Sequence, residues 1–290
     1  MSAIAYITDS KMLELHRLNN HKTMNFWRPS GNINFSEFKE GDLLFFLSKD
    51  KQHRKKKEKG IVGFGRLVAS STGSVRTMWE RFGILNGYND MEEFREAIAK
   101  VSKDKKIPSR ISGFYLENVT FFQPVYLSEC GMKISNNIES YVYLKPEEVV
   151  MKLLDLAEQS NDLWFELGKN EQAIEEEKIR YALMASHRQI GDIPMGEREA
   201  KKATRTLKSF QNEYAGYAFI QDSRSELYKI GNRSLDIVLF HDKYIDRRLL
   251  IGQAHLYRYF LGKYYQPDMS LRFLSSDRDE NVETDMNALL

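Results

Sequence analysis

The chain has 290 residues, 42% of them hydrophobic and 12% aromatic, with 43 Lys and Arg against 41 Asp and Glu and a net charge of +2. That size supports one large or two ordinary globular domains. The single cysteine, Cys130, excludes an internal disulfide and cysteine-rich zinc sites, and a basic nucleic-acid face has to be local.

The opening MSAIAYITDSKMLELH lacks the basic stretch and apolar run of a signal peptide. No apolar run reaches the ~18 residues of a membrane span, so a cytoplasmic protein with no membrane contact is expected. In the first half, residues 41–50 (GDLLFFLSKD), 60–71 (GIVGFGRLVASS), 113–122 (GFYLENVTFF) and 124–128 (PVYLS) read as strands between turn residues. A helix is expected over 90–103, where Met91, Phe94, Ala97, Ile98 and Val101 recur at helical spacing.

Three stretches of this half carry nucleic-acid chemistry. Residues 25–31 (NFWRPSG) gather Phe26, Trp27, Arg28, Pro29 and Ser30, and residues 74–88 (SVRTMWERFGILNGY) gather Trp79, Arg81, Phe82 and Asn86. Aromatic faces stack on an extruded base, and an adjacent Arg or Asn hydrogen-bonds its edge. The same aromatics also suit an ordinary core. Residues 49–60 (KDKQHRKKKEKG) form a basic hairpin loop in which Lys51, Arg54, Lys55, Lys56 and Lys57, with Lys49, would neutralise phosphates, or simply be solvated.

The order of W-R-P-S, G-D-x-x-x-F, W-x-x-F-G-x-x-N-G and F-F-x-P across residues 5–145 resembles the PUA-like, EVE-related domain that bacteria fuse to restriction-type nucleases. The resemblance implies a small β-barrel with an inserted helix that holds one flipped, modified base in an aromatic pocket. Trp27 and Trp79 would wall that pocket, Arg28 and Ser30 would lie near the nucleotide backbone, and Phe82 and Asn86 would complete the base site. Residues 1–145 are accordingly expected as the base-recognition domain.

Composition changes after Tyr143. Residues 146–195 read as a helical linker, opened by Pro146 and acidic residues that suit a helix N-terminus. Residues 196–290 read as helix, strands 216–222, 226–231 and 235–240, helix 246–265, strand 269–276 and a polar tail. The fold class is α+β, and this αβββαβ order resembles the PD-(D/E)xK restriction-endonuclease core.

There, carboxylates hold Mg²⁺ or Mn²⁺ to activate water, and a Lys stabilises developing charge. By that resemblance Asp236, Glu226 and Asp222 are metal ligands and Lys229 or Lys243 stands in for the missing Lys. Gln253 and Tyr257, one helical turn apart, match the Q-x-x-x-Y pair of the RecB-like branch. No E-x-K or D-x-K lies between Phe240 and Gln253, and Val238 stands where the Lys would follow Asp236.

Residues 216–231 also resemble the paired strands of GIY-YIG nucleases through Gly216, Phe219, Tyr228 and Gly231, with Arg247 or Arg248 as the helix Arg and no Glu in 246–265. His241 and His255 do not form an HNH pattern. The expected function is a modification-dependent DNA endonuclease, acting on modified double-stranded DNA and pairing as a homodimer to cut both strands. The alternatives are a non-catalytic modified-DNA reader on a degenerate nuclease fold, a GIY-YIG nuclease, or an RNA-binding PUA-type protein.

Overall fold

The chain opens on a strand, β1 (Ala3–Thr8), followed at once by helix α1 (Ser10–Leu18). Asp9 caps that helix by accepting from Lys11 N at 2.7 Å. The computed structural model describes residues 2–32, 35–52, 57–102, 105–135, 137–159, 167–242, 244–265 and 267–275. Two units are distinguished, residues 1–173 and 174–290.

In the first unit β2 (Met24–Arg28), β3 (Leu43–Gln52), β4 (Lys59–Gly73), β5 (Ile111–Val125) and β6 (Tyr141–Tyr143) join β1 in a six-stranded sheet of order β2-β5-β4-β3-β1-β6. Among the described residues of this sheet, only β1 and β3 pair in parallel. Residues 113–122 and 124–128, expected as two strands, belong largely to the single strand β5. Register shifts between β4 and β5 mark bulges, which bend long strands and sharpen their twist.

The bend has a visible result. β1 and β2 stand far apart in the strand order, yet the Tyr6 and Phe26 rings lie 5.0 Å apart. The sheet therefore curls around its core, in which Phe26, Phe46, Phe114 and Leu116 are buried. No ladder joins β2 to β6, so the expected barrel is an open, curled sheet among the described residues.

Helix α2 (Val75–Phe82), a 3₁₀ turn (Gly83–Asn86) and α3 (Met91–Val101) form the insertion between β4 and β5. Gly87 holds φ +88, and a Cβ there would stand 2.0 Å from Met12 Cγ. The N-G of the insertion motif is thus a backbone requirement of this turn. Helix α4 (Glu147–Gln159) packs on β5, so the first half of the expected linker belongs to this unit. Cys130 is buried, and burial raises its thiol pKa to about 11.

Helix α5 (Leu167–Ile190) leads into the second unit. There α6 (Glu197–Glu213), β7 (Ala218–Phe219), β8 (Glu226–Ile230), β9 (Ser234–His241), α7 (Arg247–Tyr264) and β10 (Asp268–Ser275) follow the expected αβββαβ order. The sheet order is β10-β9-β8-β7, with β7, β8 and β9 antiparallel and β10 parallel to β9 across the α7 crossover. Among the described residues no helix is long and apolar enough to cross a membrane.

Candidate functional site

A cleft of about 700 Å³ opens on the first unit where β1 and β2 face each other across the curl. Tyr6, Phe26 and Trp27 line it from the strands, Arg28 and Ser30 from the end of β2, and Lys100 and Glu139 from flanking segments. Trp27 is 7% exposed, and its ring packs against Phe94 at 5.5 Å and Tyr88 at 6.2 Å. Its indole N–H donates to the Asn86 carbonyl at 3.2 Å. Trp27 is therefore part of the cleft floor, with its one donor already engaged.

Arg28 is half-buried, and its guanidinium lies 5.3 Å from the Phe35 ring centroid. Tyr6 stacks on Tyr141 at 5.7 Å. Burial raises the Tyr6 pKa, against the opposing charge of Arg28, so the phenol is a neutral hydrogen-bonding group at ordinary pH. The cleft is thus lined by aromatic side chains beside a guanidinium, with Phe26 and Trp27 largely buried in its wall. Ser30 Oγ accepts from Asn32 N at 3.2 Å.

The other expected base-site residues are not among those lining the cleft. Trp79 packs on Phe94 at 6.0 Å. Phe82 stacks on Tyr115 at 5.9 Å, and the Arg81 guanidinium lies 4.9 Å from its ring centroid. Asn86 is fully buried: Nδ2 donates to Gly83 O at 2.8 Å and Met78 O at 3.3 Å, and Oδ1 accepts from Asn25 Nδ2 at 2.8 Å. Its two donors hold the turn together, and the amide is buried away from any base edge. Lys57 is exposed, with φ +54. The Lys51 side chain and residues Arg54, Lys55 and Lys56 lie outside the described residues, as does Lys243.

The second unit brings part of the expected nuclease set together. Glu226 opens β8 and is fully buried. Its Oε1 accepts from Gln253 Nε2 at 2.8 Å, its Oε2 accepts from the Tyr257 hydroxyl, and His187 Nδ1 lies 3.2 Å from Oε2. His187 Nδ1 is also 2.7 Å from the Tyr257 hydroxyl, and Gln253 Nε2 donates to Gly191 O at 2.7 Å. The one-turn spacing of Gln253 and Tyr257 thus points both side chains at one carboxylate.

The sequence reading missed His187 and Asp192. Gly191 at φ +75 ends α5 in the left-handed conformation typical of a helix C-cap, with its N–H on His187 O at 2.7 Å. Asp192 follows directly and is exposed. Its Oδ1 accepts from Ser223 Oγ at 2.5 Å and Ser225 Oγ at 3.2 Å, and its Oδ2 from Arg224 N at 3.0 Å. One ligand atom each from His187, Asp192 and Glu226 lie within 4.8 Å of one another. Burial alone would lower the His187 pKa, but the hydrogen bond to and charge of Glu226 outweigh it and raise it. Burial and the Glu226 charge push the Tyr257 phenol well above its ordinary value.

Asp236 stands elsewhere. Glu226 pairs with Leu239 across the ladder, so Ile237 and Leu239 share its face while Asp236 and Val238 point to the other. Asp236 is ion-paired with Arg272 and accepts from Tyr217, whose phenol is raised to about 12 by burial and by Asp236. Asp236 and Glu226 therefore cannot share one ion. Lys229 pairs with Asp236 in the ladder and donates to Ala215 O at 3.2 Å, also on the face away from Glu226. Asp222 is exposed at φ +70 in the β7–β8 turn. It contributes charge near His187 but is outside the three-ligand cluster.

Of the GIY-YIG positions, Phe219 and Tyr228 lie on the antiparallel pair β7–β8, with Ala218 opposite Tyr228 and Phe219 opposite Leu227, whereas Gly216 and Gly231 lie outside both strands. Arg247 and Arg248 are exposed in the first turn of α7. His241 is buried at the end of β9, and His255 is exposed on α7.

No family model matches the chain, and no curated protein matches it. Among solved structures, the ASCH protein from Zymomonas mobilis is similar at 17% identity and a TM-score of 0.38, over 53% of this chain and 94% of that chain. Two mutant forms of the same protein are similar at 16% identity and a TM-score of 0.39, one over 53% of this chain and 95% of its own and the other over 54% and 99%.

Proposed function

We propose that this chain reads nucleic acid, holding one base turned out of its stack in the cleft between β1 and β2, and that its target is DNA carrying a modified base. The observation that carries this reading is the composition of the cleft: Tyr6, Phe26 and Trp27 beside the Arg28 guanidinium. A planar apolar base gains from aromatic surface, and a guanidinium supplies donors for a carbonyl edge or a phosphate. A cleft of about 700 Å³ leaves room for a base that bears an added group. The basic segment from Lys51 to Lys57 supplies phosphate contacts in this reading.

A second reading, metal-dependent hydrolysis of the DNA backbone, is favoured by one observation. Gln253 and Tyr257, the pair of the Q-x-x-x-Y resemblance, converge on the buried carboxylate of Glu226, one of the expected metal ligands. Asp236 takes no part in it.

The test uses the full chain and duplexes with plain, methylated, hydroxymethylated or glucosylated cytosine, with and without Mn²⁺ or Mg²⁺. Metal-independent preference for one modified duplex supports the reader. Equal, weak binding to all of them overturns it. Cleavage that needs metal and is lost in Glu226→Gln but kept in Asp236→Asn supports the second reading; intact DNA under every condition overturns it.

A further inference from the structure

We infer that His187, Asp192 and Glu226 form a site for a borderline divalent transition cation, of the Zn²⁺ or Co²⁺ class, in place of the hard Mg²⁺ or Mn²⁺ expected from paired carboxylates.

The donor set comes from three separate segments. His187 lies in the last turn of α5, Asp192 directly after the Gly191 cap, and Glu226 at the start of β8. Their ligand atoms lie within 4.8 Å of one another. Two ligands of one ion at about 2.1 Å stand no more than about 4.2 Å apart, so a small movement of the exposed Asp192 carboxylate closes the set.

Each carboxylate ligand already has the outer partners that metal ligands use to fix their orientation. Ser223, Ser225 and the Arg224 amide hold Asp192, and Gln253 with Tyr257 holds Glu226. Two carboxylates and a neutral imidazole balance the charge of a divalent cation, and three protein ligands leave room for water. The imidazole decides the class. Nitrogen donors suit Zn²⁺ and its neighbours, whereas Mg²⁺ favours oxygen ligands and retained water. Binding takes the lone pair of an imidazole nitrogen, so that nitrogen carries no proton once the cation is bound.

This inference does not rest on the nucleic-acid reading. The test takes the full chain, stripped with chelator, without DNA, and titrates Co²⁺ as a spectroscopic stand-in. The expected result is one equivalent bound with a visible ligand-field band, displaced by Zn²⁺ but not by excess Mg²⁺. His187→Ala alters a buried contact, so Asp192→Asn, at an exposed position, is the decisive variant. It should keep the wild-type circular dichroism spectrum and lose at least about ten-fold in Co²⁺ affinity. No saturable binding, displacement by Mg²⁺ as readily as by Zn²⁺, or unchanged affinity in Asp192→Asn would overturn the site. Stoichiometric Co²⁺ binding by a protein that leaves DNA intact supports the site and removes only the hydrolytic reading.

Discussion

Gln253 donates from Nε2 to Glu226 Oε1 at 2.8 Å, joining helix α7 to strand β8. Tyr257, one turn later, donates its hydroxyl to the other oxygen of the same carboxylate. The polar centre of the second unit is therefore organised around Glu226, and Asp236 belongs to a separate cluster on the opposite sheet face. That division makes the two carboxylates separable by mutation.

Asp236→Asn should leave metal affinity unchanged. Its ion pair with Arg272 is partly exposed, with side-chain exposures of 19% and 44%. Such pairs contribute about 1 kcal/mol or less, so the denaturation midpoint should move little. Glu226→Gln should instead abolish metal binding, because it removes the one fully buried ligand. Parallel Co²⁺ titrations and urea melts check both; equal metal loss in the two variants would contradict the face assignment.

Asn86 is expected to act on stability and not on base choice. Asn86→Ala leaves Met78 O, Gly83 O and Asn25 Nδ2 without the partners they have now. The cost should be about 2–4 kcal/mol, from buried polar groups left unsatisfied. Chemical denaturation measures it. The ratio of affinities for modified and plain DNA should be unchanged under conditions where the variant stays folded. A changed ratio at normal stability would return Asn86 to the base site.

His16 gives the first unit an acid sensitivity. It is fully buried, its Nδ1 lies 2.9 Å from His21 Nδ1, and burial followed by the neighbouring imidazole lowers its pKa to about 4. The unfolded chain binds a proton near pH 6.5, before the folded one does. The stability is therefore present above pH 6.5 and lost as pH falls from there towards 4, by roughly 3 kcal/mol over the window. Urea midpoints at pH 7, 6, 5 and 4.5 should fall progressively, and His16→Gln should flatten the trend. An identical slope in the variant would assign the acid sensitivity to other groups.

The second unit was readable in the sequence because its signals are local. Apolar strands of five to eight residues, Asp246 capping α7, and a one-turn Gln253–Tyr257 spacing each declare themselves within a short window. The partners of Glu226 do not. Whether it faces Asp236 or His187 depends on ladder register, and a one-residue difference in parity reverses the face. His187 and Asp192 were hidden because a helix end brings them to β8 only in the folded unit.

In the first unit, Trp27, Arg28 and Ser30 were legible as a group because they are nearly consecutive. Tyr6 was not. It belongs to a short strand at the very start of the chain, and it reaches Phe26 only through the curl of the sheet. Trp79, Phe82 and Asn86 look like recognition residues in one dimension, but the turn that Gly87 permits folds them into packing and hydrogen bonds within the insertion.

The decisive measurement is of base extrusion into the Tyr6–Arg28 cleft. A duplex carrying 2-aminopurine as the neighbour of a modified cytosine, titrated with the full chain without divalent metal, reports unstacking by a rise in fluorescence. Base extrusion predicts a saturable rise for wild type. Arg28→Gln should lower affinity about ten-fold or more, as expected for loss of a charge-assisted contact, and should remove the preference for modified DNA. Saturated binding with no rise in fluorescence, or an Arg28→Gln variant that binds and discriminates like wild type, would contradict it.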